Sequence, residues 1–448
     1  MEKIKLSYNG DFHKLPCSTE CVPFSDDCDE AKNFDPATMI GVLVCKNKKG
    51  KFEILKAFSG EFMGSWHIDN WCDPCFDLEA YTDIVKKSDL VIKELTNQIE
   101  KLSGSNFDEE QKSLLVELIQ KRKKYSRKVM RELFSLYRFN AVNGKSYSIM
   151  DLQKERFVSE KIPTGFGDCC GIKLLNEAFK NGLKPISMVE FYFGKESRDG
   201  KKFHGHFYGP CEQRCRLLMP AMLGLDILYL DEDIVVVNKP SGLLSVYGIG
   251  EDKQDCVSSR IKALYENVID NPAVHRLDMD TCGVMVYALN KEAHRQLSIQ
   301  FQNRETKKAY IAKVDGIPFL KDKNRLAQKG ESGTINLPMR LDVENRPYQI
   351  IDHLHGKEAI TYYEVMAIRG GKTKLKLVPH TGRTHQLRLH CASPEGLNTP
   401  IISDRLYGKK LEKVNLMLQA YSLTFFHPTK TKFDGSRLEM KFEVEQLF

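Results

Sequence analysis

The chain has 448 residues, of which 28% are charged and 42% hydrophobic, with a formal net charge of +7 at pH 7. Such a length predicts two or three domains with a substantial core, and the modest positive charge favours an anionic partner only weakly. No run reaches the roughly 18 apolar residues that a membrane-spanning helix needs. The N-terminus shows no apolar signal segment, and the 13 cysteines have no regular spacing. We therefore expect a reduced, cytoplasmic protein without a membrane partner.

Residues 1–80 are predicted to be β-rich. Residues 41–45 and 51–58 are strand-like, and residues 47–50 between them are typical of a hairpin turn. Cys72 and Cys75 have CxxC spacing, but no second pair stands at zinc-finger distance. A lone CxxC is weak evidence for a metal site.

Residues 82–138 have a helical pattern inserted into this first half. Apolar residues recur every three or four positions on both sides of a break at residues 103–106, which predicts a helical hairpin or short coiled coil. The two stripes contain Ile92, Leu95, Ile99 and Leu102, then Leu115, Leu118, Arg122, Tyr125, Val129, Leu133 and Leu136. Six of the eight residues 121–128 are Lys or Arg. Such a run is usually a solvated helix face, and the alternative is a surface that follows nucleic-acid phosphates.

Residues 140–220 continue the N-terminal half, with a loop at 163–170 and a helix at 172–181. Histidine and cysteine side chains nearby raise the question of zinc, since four such ligands make a structural site. Their spacing matches no standard signature, and reduced cysteines also pack as small hydrophobic residues. We therefore predict no metal, and the zinc candidates to test are Cys169, His206, Cys211 and Cys215.

A new domain is predicted over residues 226–448. Two strands flank an acidic turn at residues 231–233 and end beside Lys239 and Pro240. Helices are expected near 257–268 and 291–303, and strands at 307–314, within 359–378, at 416–426 and at 438–442. We expect an α+β fold, with a mixed, mostly antiparallel sheet and flanking helices here, and an N-terminal α/β extension that carries the helical hairpin.

Asp278 stands in a turn before the strand-like run 284–288, and Gly283 marks a tight entry into that strand. A carboxylate at the edge of a buried strand is typical of a reactive group, and Arg276 two residues earlier would keep it ionised. The alternative for these residues alone is an exposed ion pair of little consequence.

Five segments in the second half resemble, in their order, the motifs of the RluA-type family of RNA pseudouridine synthases. They are residues 237–245, 275–283, 308–310, 382–390 and 404–408. Cys282 stands where the family usually has Ser, and Ser403 where it usually has Gly. Residues 274–279 and 345–348 are most similar to the dual-specificity branch, which implies large-subunit (23S-type) rRNA and a tRNA anticodon stem-loop as substrates.

The resemblance implies the isomerisation of uridine to pseudouridine, with RNA as partner and without a cofactor. Asp278 would be the nucleophile or charge stabiliser at the sugar, Arg388 its paired cation on the strand expected at 382–390, and Tyr310 a stacking and proton-transfer residue. Arg276 would enter the space that a flipped nucleotide leaves. RNA contact or loop support is expected from Arg276, Lys239, Lys308, Arg383, His385 and Gln386.

Two other functions remain compatible with the sequence. A non-catalytic RNA-binding chaperone for ribosome assembly could keep the fold and use only the basic surfaces. Residues 1–220 could instead dock to the ribosome or to another protein, and no RNA-binding pattern is recognised there. The oligomeric state is not fixed by the sequence, and a monomer is the simplest expectation.

Overall fold

The structure, a computed structural model, describes residue 35 and residues 37–102, 109–156, 162–209, 214–250, 253–265, 267–320 and 323–448. The chain divides into two compact units, of which one ends at Gly224 and the other begins at Leu225. No helix within these ranges is long and apolar enough to cross a membrane.

The first unit contains a three-stranded antiparallel sheet in the order β2–β1–β5, with helix α4 packed on it. The strands are β1 (Thr38–Lys46), β2 (Phe52–Phe58), β3 (Arg138–Asn140), β4 (Ser146–Ser148) and β5 (Lys184–Phe193). The helices are α1 (Leu78–Lys101), α2 (Glu109–Leu136), α3 (Ile149–Arg156), α4 (Cys170–Lys180) and α5 (Cys215–Met222). Leu43 and Leu174 are fully buried, so the core lies between β1 and α4.

Helices α1 and α2 pack against each other through the apolar stripes. Leu95 on α1 and Leu118, Val129 and Leu133 on α2 are buried, and the Asp77 side chain caps α1 by accepting from the Ala80 amide at 2.9 Å. Arg122 is exposed, so its place in the predicted stripe was wrong. It belongs to the basic surface of α2, because a guanidinium gains nothing from an apolar seam.

The CxxC pair lies inside the first unit. Cys72 and Cys75 are both buried and neither is in a disulfide. Burial raises the pKa of the Cys72 thiol to about 12 and raises the pKa of the Cys75 thiol as well. In the described part of the chain, neither cysteine belongs to a group of three metal-ligating residues, and buried reduced cysteines pack as small apolar side chains.

The second unit is built on nine described strands in the order β12–β15–β16–β9–β17–β8–β7–β6, with β18 paired to β17. All described pairs in this sheet are antiparallel except β17 with β8. The strands are β6 (Asp226–Leu230), β7 (Ile234–Lys239), β8 (Cys282–Ala288), β9 (Lys307–Asp315), β10 (Phe319–Leu320), β11 (Arg325–Leu326), β12 (Ser332–Asn336), β13 (Met339–Leu341), β14 (Gln349–Ile351), β15 (Ile360–Arg369), β16 (Lys372–Pro379), β17 (Leu418–Thr431) and β18 (Arg437–Glu443). The helices are α6 (Val257–Leu264), α7 (Lys291–Gln302) and α8 (Gln386–Ala392).

Strand β8 is buried along its whole length because both faces of the sheet are covered. Met285 and Tyr287 pack with Ile261 of α6 on one face. Val284 and Val286 pack with Leu297 of α7 on the other. Successive side chains of a strand point to opposite faces, so a continuous apolar run is what a doubly covered strand requires. The mixed, mostly antiparallel fold predicted for this half is confirmed.

Two elements of the second unit differ from the predictions. The helix expected near 257–268 ends at Leu264. The segment 382–390, expected as a strand, is a turn followed by helix α8, whose first six residues are all buried. Leu387 and Leu389 alternate with polar residues as in a strand. Such alternation usually indicates a strand with one buried and one exposed face. In α8, polar and apolar side chains are both buried, so the alternation has no such meaning.

Candidate active site

The Asp278 turn is held by hydrogen bonds on both sides of the carboxylate. The Thr281 amide donates to the Asp278 carbonyl oxygen at 3.1 Å. The Ser245 hydroxyl accepts from the Leu277 amide at 3.1 Å and donates to the Leu277 carbonyl at 2.7 Å. The Gly242 amide donates to the Met279 carbonyl at 2.9 Å. The loop that follows β7 therefore fixes the turn that presents Asp278.

Lys239 belongs to this support rather than to an RNA surface. Its side chain is completely buried, and its ammonium donates to the carbonyls of Pro240 at 2.9 Å, Leu243 at 2.6 Å and Met279 at 2.9 Å. Burial lowers the pKa of Lys239 to about 8. An ammonium has three donors, so all are used and none is left for a phosphate. Loop support is the role that the geometry allows.

We expect Lys239→Met to lower the free energy of unfolding by roughly 2–4 kcal/mol, because three carbonyls would lose the ammonium donor, although that of Met279 would keep another, the Gly242 amide. Turnover should fall as the Asp278 turn shifts, while the salt dependence of RNA binding should stay unchanged. Denaturant unfolding, a turnover assay and RNA titrations at several salt concentrations measure these three quantities. Lys262→Met is the matched control, since Lys262 pairs with the exposed Asp270 on the surface. A smaller salt slope at unchanged stability would instead mean that Lys239 contacts phosphate.

Gly283 lets β8 enter the sheet beside β17. Its φ of +119° lies outside the region that L side chains usually adopt, and a Cβ there would run into the Ala420 carbonyl. Gly283 pairs with Ala420 in the parallel ladder. The close approach of two backbones thus sets the distance between the Asp278 turn and the central strands.

Arg388, on α8, is the cation that faces Asp278. Its Nη1 lies 3.5 Å from Asp278 Oδ2, while its Nε and Nη2 donate to the Asp404 carboxylate at 2.8 and 2.6 Å. Arg388 and Asp404 are both buried. Burial alone would lower the pKa of Arg388, but hydrogen bonds and charge attraction from Asp404 raise it overall. A bidentate carboxylate thus holds one guanidinium nitrogen toward Asp278.

Arg276 does not act as the paired cation that its position in the sequence predicted. It is exposed, and no nitrogen of its side chain forms an ion pair with Asp278 within 4 Å, whereas Arg388 does. The cation that pairs with Asp278 comes from 110 residues away. Arg276 instead stands at the rim of the cleft.

His385 brings a second nitrogen toward Asp278. It precedes α8 in the left-handed conformation (φ 56°), and its Nε2 lies 3.9 Å from Asp278 Oδ1. Its Nδ1 is 2.9 Å from the Tyr407 hydroxyl, which accepts from the Gln349 amide at 2.8 Å. The Tyr407 proton is therefore free to go to Nδ1, which leaves the Nε2 proton facing Asp278. Burial lowers the pKa of His385, which favours this neutral form.

Tyr310 and Lys308, on β9, line the opposite part of the cleft. Burial first, and then the Asp278 charge, raises the pKa of Tyr310, so its hydroxyl stays protonated at neutral pH. The Lys308 ammonium lies 5.6 Å from the centre of the Phe301 ring, and burial lowers its pKa. Phe301 also stacks on His275 with ring centres 4.5 Å apart. The wall thus combines aromatic faces with one cation.

Gln386 and Arg383 are engaged by the protein itself. Gln386 is buried, and its Oε1 accepts from the Thr381 hydroxyl at 2.8 Å and from the Arg383 amide at 3.0 Å. Its Nε2 donates to the Ile360 carbonyl at 3.0 Å and lies 2.9 Å from the Thr361 hydroxyl. Loop support therefore describes Gln386, the second of its two predicted roles. Arg383 is exposed and donates to the Glu358 carbonyl at 3.0 Å, so much of its guanidinium still faces solvent.

These side chains enclose a cleft of about 700 Å³. Asp278 opens into it with 18% of its side chain exposed. Basic residues predominate among the charged side chains of the lining, which includes Arg276, Arg304, Lys307, Lys308, Arg383 and Arg388. Such a volume lies within the usual range for a small-molecule site and holds one nucleoside. The arrangement offers an accessible carboxylate in an electropositive site.

The sequence analysis missed the residues that orient the Arg388 and His385 side chains beside Asp278. Asp404 and Tyr407 belong to the motif at 404–408, but the pattern suggested no role for either. The Asp404 carboxylate also accepts from the amides of Leu406 at 2.9 Å and Tyr407 at 3.2 Å. Ser403 precedes Asp404 and Arg405 follows it, so the local sequence shows no sign that this carboxylate is buried.

The zinc prediction falls partly outside the described part of the chain. Cys211 and the side chain of Cys215 are not described. Cys169 is buried at the start of α4, and His206 is exposed with its ring 5.7 Å from that of Phe203. Among the described side chains, neither belongs to a group of three metal-ligating residues. The prediction about zinc therefore stays a prediction.

Comparison with known proteins places the second unit. The sequence model of a family described as RNA pseudouridylate synthase matches residues 233–393. The Dual-specificity RNA pseudouridine synthase RluA of Haemophilus influenzae is 45% identical over 208 residues, which cover 46% of this chain and 88% of that protein. Its Escherichia coli counterpart is 43% identical over the same shares of both chains. The solved human RNA Pseudouridylate Synthase Domain Containing 1 is 27% identical, covers 49% of this chain and 83% of that one, and has a TM-score of 0.38.

The family model and the two RluA relatives define an RNA-modifying isomerase. More narrowly, the chain belongs to the RluA-type family of RNA pseudouridine synthases. The resemblance drawn from the five sequence motifs is confirmed.

Proposed function

We propose that this enzyme isomerises specific uridines in structured RNA and that Asp278 acts directly on the sugar. The observation that carries this proposal is the position of one carboxylate. It is partly exposed at the floor of the cleft and lies 3.5 Å from a buried, bidentately held guanidinium. The geometry thus presents a carboxylate oxygen to the cleft while a fixed cation holds the other side of the group in place.

The reaction breaks the bond between N1 of uracil and C1′ and forms a bond between C5 and C1′. Ionised Asp278 can attack C1′, so that its oxygen bonds to the sugar while the N1–C1′ electron pair leaves with the base. It can also take a proton from C2′ as the base leaves. In both routes the uracil turns and C5 bonds to C1′. This breaks the bond between Asp278 and C1′ in the first route, and in the second route Asp278 returns its proton to C2′ at the same time. The hydrogen of C5 then leaves as a proton while N1 gains one. No atoms are gained or lost, so no cofactor is needed.

Tyr310 is proposed to hold the uracil and to assist the last proton transfer. A tyrosine ring stacks on a base through its face, and its hydroxyl offers a donor and an acceptor at the rim. Burial and the Asp278 charge raise the pKa of Tyr310, so it starts the reaction protonated. It therefore needs a partner, such as water, to accept its proton before it can take the one from C5.

Base flipping brings the target into the cleft. C1′ and C5 of a stacked, paired base are out of reach of a carboxylate in a pocket, so the nucleotide must swing out. Arg276 is exposed at the rim, where its guanidinium could fill the vacated space. Lys308 and Arg383 line the same cleft and would contact the phosphates beside the flipped nucleotide, whereas the two ring nitrogens of His385 face Tyr407 and Asp278.

The substrates proposed are a 23S-type rRNA and a tRNA anticodon stem-loop. This proposal rests on the resemblance of residues 274–279 and 345–348 to the dual-specificity branch, and on relatives that are named dual-specificity enzymes. We expect pseudouridine mapping of total RNA to lose signals in both classes when the gene is deleted, and purified enzyme to restore them. Loss in one class alone, with the other untouched at high enzyme concentration, would exclude dual specificity.

A further inference from the structure

Helix α2 carries a basic surface that takes no part in the chemistry at Asp278. Between Leu118 and Arg131 the helix has seven Lys or Arg residues and no Asp or Glu. All seven are exposed. Lys128 pairs with Glu132 at 3.7 Å, and the other six form no ion pair with a described carboxylate. Like charges at this density repel one another and destabilise the helix in the free protein. A bound polyanion would reduce this repulsion.

Four of these cations line a groove of about 680 Å³, and they are Arg122, Lys123, Arg127 and Arg131. Lys123, Arg127 and Arg131 follow one another at four-residue intervals, about 6 Å apart along the helix axis. They therefore form a row that faces the groove. The remaining lining is mostly apolar and is made by Ile99, Ile119, Met130, Phe134, Met150 and Ile162. Of these, Ile119 and Met150 are exposed although they are large hydrophobic residues.

We propose that this groove binds a single-stranded segment of the RNA substrate, with phosphates on the cations and a base against the apolar floor. Grooves for single strands combine a row of cations with apolar or aromatic surfaces on which bases lie. Three of the four cations are arginines, whose planar fork suits phosphate oxygens. The inference rests on the proposed function in taking RNA as the ligand. Since the groove and the active site share one chain, it would raise RNA affinity without changing the chemical step.

The test neutralises the row in the full chain as Arg122→Gln, Lys123→Gln, Arg127→Gln and Arg131→Gln. The probe is a 40-nucleotide RNA hairpin with single-stranded flanks, titrated between 50 and 200 mM salt. We expect the slope of log affinity against log salt to fall by about 0.7 for each single-strand phosphate that the variant no longer neutralises, or roughly 2–3 in all. Affinity should fall at least about tenfold at the lower salt. KM should rise, with kcat unchanged at saturating RNA.

The matched control neutralises Lys86, Lys87, Lys93 and Lys101 on α1, which are all exposed. Both variants lose four charges, from +7 to +3, so a general effect of net charge would be equal in the two. We expect the α1 variant to bind the hairpin like wild type. Equal weakening of binding in both variants, or wild-type binding by the α2 variant, would overturn the proposal.

A measurement on the wild-type chain does not depend on how the variants fold. The hairpin should protect Lys123 from acetylation and leave Lys86 and Lys87 reactive, while polyglutamate should protect none of them at the same salt. Equal protection of Lys123 by polyglutamate would indicate an acidic protein as the partner and overturn the RNA assignment. Binding is measured without turnover, so a chain that binds the hairpin but makes no pseudouridine would overturn the proposed function alone.

Discussion

The Asp278→Asn variant is expected to form pseudouridine at least about 10³-fold more slowly than wild type, a barrier increase of roughly 4 kcal/mol. An amide has the shape of the carboxylate but neither its charge nor its nucleophilicity, so both routes at the sugar would fail. Arg388 would remain paired with Asp404, and the variant should stay folded. RNA affinity should not fall, because Asp278 carries a negative charge and does not bind phosphate.

The measurement is the release of tritium from RNA labelled at C5 of uridine. Asp280→Asn is the matched control, since Asp280 lies in the same turn and pairs outside the cleft with Arg405 at 2.8 Å. We expect this control to release tritium at nearly the wild-type rate. Equal release by Asp278→Asn and wild type would sink the catalytic role of Asp278. No release by wild type on any RNA would favour the non-catalytic chaperone instead.

Strand β8 shows what the sequence could predict about this fold. Its apolar run has no polar position, which only a strand covered on both faces can satisfy, and the structure buries all seven residues. Gly283 marked the tight entry because the parallel partner leaves no room for a Cβ. The local sequence pattern therefore predicted both strand β8 and the turn that carries Asp278.

The cation beside Asp278 shows where local reasoning failed. Arg276 is the near neighbour in sequence, but Arg388 comes from a helix 110 residues away. Polar and apolar residues alternate in α8 as they do in a strand. Because the structure buries both kinds of side chain, the sequence lacks the exposed polar face by which a helix is distinguished from a strand. The family resemblance predicted that Arg388 pairs with Asp278, and the structure shows that α8 brings the two side chains together.

The role of Lys239 was hidden for a related physical reason. A lysine after a strand is most often a surface cation, and its three acceptors here are backbone carbonyls. Backbone carbonyls exist at every residue, so the sequence does not show which of them will converge on one ammonium. One of the three, that of Met279, comes from 40 residues further along the chain.

Replacing Asp404 by asparagine is expected to be the most destabilising change at the site. It would leave the buried Arg388 guanidinium without its bidentate carboxylate, and breaking such a pair from one side costs roughly 3–5 kcal/mol of unfolding free energy. Arg388 would be drawn onto Asp278, its one remaining close carboxylate. Denaturant unfolding should show the loss of stability. Tritium release should fall because Asp278 would be held by the guanidinium rather than presented to the sugar.

The pair Asp255–Arg260 provides the control, because it is also bidentate, at 2.8 Å for both bonds. It lies outside the cleft and is more exposed, so Asp255→Asn should cost less unfolding free energy than Asp404→Asn and leave turnover unchanged. The double variant Arg388→Met with Asp404→Asn removes both buried charges. It should recover part of the stability lost in Asp404→Asn but none of the activity, since the cation facing Asp278 is gone. An Asp404→Asn protein as stable and as active as wild type would mean that the charge of Arg388 is balanced elsewhere.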